Sequence, residues 1–169
     1  MMIRRLLVFA TLALAITSAA GPAAASHTGL LFGASTRVVI TMSEWKFSPS
    51  TITVAAGESV DFVLENKGTQ THVFMVYPAP KAPYKGAGDW WEYVLEKTYL
   101  QGMGEILVHS RGQFAISGTR VAEVGVETGK TVTLTFTPSK KGRFEIGCHL
   151  PTAGASHYTA GMKGQLIVK

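Results

Sequence analysis

Residues 148–164 read "CHLPTAGASHYTAGMKG" and hold the only cysteine, two of the five histidines and one of the six methionines of the 169-residue chain. Cys148, His157 and Met162 follow the spacing C-x8-H-x4-M. A thiolate, a neutral imidazole and a thioether are donors of graded softness. Soft sulfur favours Cu(I), imidazole suits both oxidation states, and a set poised between them lets copper change charge without large rearrangement. Trigonal copper sites of this kind take two His and one Cys in a plane with a weak axial Met. Each residue alone has a plainer reading: an inert buried thiol, a surface or core histidine, a methionine filling a gap. Their joint occurrence points to a metal. Zinc is chemically possible, but Cys-His-His-Met is an unusual set for it.

The second imidazole must come from elsewhere. His72 follows the turn-like "ENKGTQT" (65–71) at the start of an apolar strand, so a sandwich would carry it to the end that holds Cys148. His109 competes with His72 for this place, and Met103 competes with Met162 for the axial one.

The elements that would position these residues are strands. "RVVITMSEW" (37–45) is rich in β-branched residues, and 51–54 is followed by a turn at Ala56-Gly57. Val60, Phe62 and Leu64 alternate with less apolar neighbours, as do Val132, Leu134 and Phe136, the period of two expected of half-buried strands. Further strands are expected at 71–77, 120–127, 143–148 and 164–169. Short strands at such intervals predict an all-β, antiparallel sandwich. One segment breaks the rhythm. After the Pro-rich "YPAPKAP", Asp89 is a fair N-cap, and Trp91, Val94 and Leu95 take helical spacing, predicting one inserted helix near 89–100.

The first 25 residues read as a signal peptide: Arg4 and Arg5, an apolar run from Leu6 to Ile16, then Ala23-Ala24-Ala25. The run is shorter than the ~20 residues a spanning helix needs, so no stable membrane span is expected in the mature chain. Residues 26–36 are expected to be a flexible N-terminus and 37–169 one domain, with the insertion within 78–118. Export places the chain in the periplasm or otherwise outside the cytoplasm, where an unpaired thiol calls for a partner, burial or a metal. The formal charge is +5, falling to +3 without Arg4 and Arg5, and no basic run suggests nucleic acid.

Two stretches carry a family resemblance. "FSPSTITVAAGESVDFVLENKGTQTHVF" (47–74) and "RFEIGC…H…AGMKGQLIV" (143–168) resemble the two halves of a cupredoxin, or type 1 blue copper protein. The resemblance implies a Greek-key β-sandwich of about eight strands. It also implies one type 1 copper held by His72, Cys148, His157 and Met162. The gap of eight residues between Cys148 and His157 is similar to that in the type 1 site of copper nitrite reductases. Those enzymes also need a second domain and a histidine immediately before the Cys, where this chain has Gly147. The expected function is therefore that of an exported, monomeric electron-transfer protein and not an enzyme, with a cytochrome or copper enzyme as redox partner. A copper carrier or chaperone is the alternative; a copper enzyme formed by oligomerisation through His149 is a third reading. On a strand, His149 would point away from Cys148.

Overall fold

The structure is a computed structural model that describes residues 35–80, 87–110 and 114–169, without the side chains of 87–91 and 114–117. The expected signal peptide lies outside the described residues, as do the side chains of Asp89 and Trp91.

Two sheets form the sandwich. The six-stranded sheet has the order β2-β1-β4-β9-β6-β7. Its strands are β1 (Thr36–Ser43), β2 (Lys46–Ser48), β4 (Val60–Asn66), β6 (Gln101–Ser110), β7 (Phe114–Arg120) and β9 (Thr131–Phe136). The five-stranded sheet has the order β3-β13-β10-β5-β8. It comprises β3 (Thr51–Val54), β5 (His72–Tyr77), β8 (Val124–Val126), β10 (Gly142–Gly147) and β13 (Lys163–Val168). A two-residue pair, β11 (Pro151–Thr152) and β12 (Ala155–Ser156), lies in the loop between β10 and β13. The expected eight strands thus become thirteen among the described residues, because short pieces and an added hairpin count separately. The pairing is also mixed, not purely antiparallel: β1–β4 and β13–β3 run parallel.

Alternation in the sequence becomes alternation in burial. In β9, Val132, Leu134 and Phe136 are buried and the intervening threonines half-buried. Phe62 on β4 sits edge-to-face with Phe74 of the opposite sheet at 5.9 Å and with Phe136 at 5.1 Å. Each such aromatic pair contributes about 0.5–1.5 kcal/mol beyond its area burial. Phe62→Ala would therefore break the centre of the core, at a cost of about 3–5 kcal/mol.

The helix α1 spans Ala87–Lys97, two to three residues earlier than the spacing predicted. Val94 is buried as expected, whereas Leu95 is 47% exposed. The helix ends where the Thr98 hydroxyl turns back to donate to the Val121 carbonyl at 2.7 Å. The strand that follows, β6, pairs directly with β9, so this part of the chain enlarges the six-stranded sheet.

β5 is buried at every position, because β10 and β8 flank it. The β4–β5 connection is built by Asn66. Its side-chain amide donates to the Gln70 and Val126 carbonyls, both at 2.8 Å, and its oxygen accepts the Gly68 N–H at 2.9 Å. That turn delivers His72 as the first residue of β5, on the strand face shared with Phe74.

Candidate metal centre

Cys148 follows directly on β10 and is fully buried. Its Sγ accepts the Val73 N–H from β5 at 3.3 Å, which fixes the sulfur against the strand that carries His72. The loop beyond it is stitched by its own backbone. The His157 N–H donates to the Leu150 carbonyl at 2.9 Å, the Met162 N–H to the His157 carbonyl at 2.8 Å, and the Cys148 N–H to the Met162 carbonyl at 3.2 Å. Between them, the Thr159 hydroxyl accepts the Ser156 N–H at 3.0 Å, and the Thr159 N–H donates to the Ser156 hydroxyl at 3.2 Å.

Three donor atoms converge as a result. His72 Nδ1 lies 3.2 Å from His157 Nδ1, which lies 3.3 Å from Cys148 Sγ. Among the described residues these three form the one group of at least three His, Cys, Asp or Glu side chains able to hold a metal ion, their donor atoms all within 4.8 Å of each other. Nitrogen and sulfur ligands sit about 2.0–2.3 Å from an ion. At roughly trigonal angles such ligands stand about 3–4 Å apart, the spacing of His157 from each of the other two. Met162 is also fully buried, tied by the backbone to both Cys148 and His157. Of the competitors, His109 stands on β6 opposite Thr133 and outside the cluster, and Met103 packs in the hydrophobic core from the same strand.

The electrostatics suit a cation. Burial, and the neighbouring His157, push His72 below the ordinary histidine range, against a smaller opposing pull from Glu44. Burial likewise lowers His157 and raises the Cys148 thiol. Without a metal the cluster is thus held neutral, with its donor atoms within 4.8 Å of one another. Neutral imidazoles are already in the ligating state, and a bound cation inverts the penalty on the thiolate.

Two residues at this site escaped the sequence reading. Glu44 and Trp45 form the turn between β1 and β2 and reach over the cluster. The Trp45 ring lies 4.4 Å from that of His157, and its backbone oxygen would stand 3.4 Å from a Cβ added at Gly161, whose φ is 122°. Although small residues flank it along the loop, His157 is only 1% exposed, with Trp45 packed against it. The Glu44 carboxylate accepts the Thr69 N–H at 2.5 Å, the Thr69 hydroxyl at 3.0 Å and the Gln70 N–H at 3.2 Å. Hydrogen bonds from its own backbone amide and from Thr69 hold it at about 2. The only signal in the sequence was a Glu-Trp pair at the end of an apolar strand.

His149 does point away from Cys148. Its Nε2 lies 2.8 Å from the Tyr77 hydroxyl and its ring stacks on Tyr158 at 4.4 Å. Burial lowers its pKa to about 4.

The family model for a cupredoxin-like domain matches residues 6–82. The copper-resistant cuproprotein CopI of Pseudomonas aeruginosa is 31% identical over 189 aligned positions, which cover 98% of each chain. The chain belongs to the cupredoxin family. A second copper-resistant cuproprotein CopI, from Rubrivivax gelatinosus, is 29% identical over 78% of this cupredoxin and 64% of its own length. A solved multicopper oxidase from Campylobacter jejuni shares the fold, with a TM-score of 0.53 at 14% identity, over 81% of this chain and 30% of that one. Together, the cupredoxin fold and the single His-Cys-His cluster among the described residues support one copper per chain. No helix among the described residues is long and apolar enough to cross a membrane.

Proposed function

We propose that this cupredoxin is an exported blue copper protein in which His72, Cys148 and His157 would hold copper, with Met162 as a further, weaker ligand. Copper held there supplies a one-electron Cu(I)/Cu(II) couple, and no substrate is transformed. The observation that carries the reading is the convergence of two Nδ1 atoms and one Sγ, with His157 Nδ1 3.2 and 3.3 Å from the other two, among buried side chains next to a buried methionine. Hydrogen bonding on both the strand and the loop side supports a site whose geometry changes little on reduction. Trp45 stands over His157, so a cytochrome or copper enzyme exchanging electrons through this pole would meet the indole first. The test is an absorption spectrum of the purified, copper-loaded chain together with cyclic voltammetry. An intense visible thiolate-to-copper band and a reversible couple are expected; absence of the band defeats the ligand set.

A second reading, an extracytoplasmic copper carrier, is favoured by the name of the Pseudomonas relative, a copper-resistant cuproprotein. A carrier releases copper readily to a chelator, whereas an electron-transfer site retains it through many redox cycles. Complete transfer to a chelator within seconds would favour the carrier.

A further inference from the structure

His72 Nε2 is buried and has no hydrogen-bond partner among the described residues. Its Nδ1 faces the cluster, so once a metal takes that nitrogen, the neutral ring must carry its proton on Nε2. A buried N–H without an acceptor is costly. Oε1 of the Glu44 carboxylate stands 3.9 Å from Nε2, beyond hydrogen-bond distance but within reach of a small side-chain rotation. Gly68 makes this approach possible. A Cβ there would lie 2.6 and 2.9 Å from the two Glu44 oxygens and 2.9 Å from Nε2, driving itself between the pair. Thr69 and Gln70 anchor that same oxygen, Oε1, with three hydrogen bonds. The β1–β2 turn thus brings an anchored anion to the one buried side-chain nitrogen among the described residues that lacks a hydrogen-bond partner.

We infer that Glu44 is a positioning residue for the metal: its carboxylate accepts the Nε2–H of His72, orients that imidazole toward the ion and adds a negative charge that favours Cu(II) over Cu(I). This rests on His72 being a ligand, as proposed above. Outer partners of ligating histidines commonly have this role, and their loss lowers metal affinity about 10–100-fold.

The test compares the copper-loaded wild-type chain with Glu44→Gln and Glu44→Asp. Glu44→Gln should keep the visible band, bind Cu(II) about 10–100-fold more weakly, and lose less affinity for Cu(I). A tenfold preferential loss raises the one-electron potential by about 59 mV. Glu44→Asp, which keeps the charge, should recover part of that shift. In the diamagnetic Cu(I) form, nitrogen-detected NMR of the wild-type chain should show a His72 Nε2–H protected from solvent exchange, a reading that needs no variant. An unchanged potential in Glu44→Gln, or an Nε2–H exchanging as fast as that of free imidazole, overturns the role of Glu44 while leaving the ligand set standing. A wild-type chain without the visible band overturns the ligand set, and this inference with it.

Discussion

The metal pole is built from two unlike halves. One is strand: His72 opens β5, a segment buried at every position and paired on both sides. The other is loop: the fourteen residues after Cys148 have only two two-residue strands, and local hydrogen bonds hold His157 and Met162 in place. The first half is fixed by the global fold, the second by its own short-range stitching. A metal site can therefore be rigid on both sides for different reasons. Damage to the strand half should appear as lost protein stability, and damage to the loop half as altered metal behaviour.

The largest effect is expected where the halves meet. Cys148→Ser removes the sulfur that touches both, and should abolish the visible copper band while circular dichroism stays that of a folded sandwich. Retained blue absorption would refute the assignment. Next comes Asn66→Ala, which strips three hydrogen bonds from the turn before His72. Chemical denaturation should show a loss of about 2–4 kcal/mol, at about 1 kcal/mol per bond plus the stranded partners. Its loop counterpart, Thr159→Ala, should cost less than about 1 kcal/mol yet speed copper release to a chelator. If the two variants behave alike, the division between halves is wrong. Met162→Leu should keep copper and raise the potential, because a weak donor to Cu(II) is lost; an unchanged potential would count against an axial Met162.

The smallest effect concerns His149, which flanks the site without facing it. Its folded pKa of about 4 lies below the ordinary 6.5 because burial disfavours the charged ring. The unfolded chain therefore binds the extra proton first, and stability is lost as pH falls from about 6.5 toward 4. In the metal-free protein His149→Phe should flatten that part of the stability–pH profile. An equally steep profile in the variant would show that other groups set it.

Cys148, His157 and Met162 stood out in the sequence because few residue types serve copper and these three sit within one short stretch, whereas His72 had a rival in His109 until the fold set it beside His157 and Cys148. The sandwich was legible from the period of two in residues such as Val132, Leu134 and Phe136. Glu44 and Trp45 were not. Their approach to the pole depends on the parallel pairing of β1 with β4, which sets Met42 opposite Asn66 and so carries the following turn to the metal end. Pairing partner and direction are long-range properties that no local pattern encodes. The same limit hides the parallel β1–β4 and β13–β3 pairs within a sandwich expected to be antiparallel. The covering of His157 was missed likewise, since its small neighbours along the chain say nothing about an indole arriving from a hundred or so residues away.

Gly147 occupies the position at which copper nitrite reductases carry a catalytic histidine. A Cβ there would collide with the Tyr77 hydroxyl, lie 2.8 Å from His149 Nε2 and meet Tyr158 Cδ2 at 3.1 Å. Even an alanine there would require the Tyr77 hydroxyl and the His149 ring to shift. A histidine at this position would therefore also displace the tyrosine-flanked imidazole beside it.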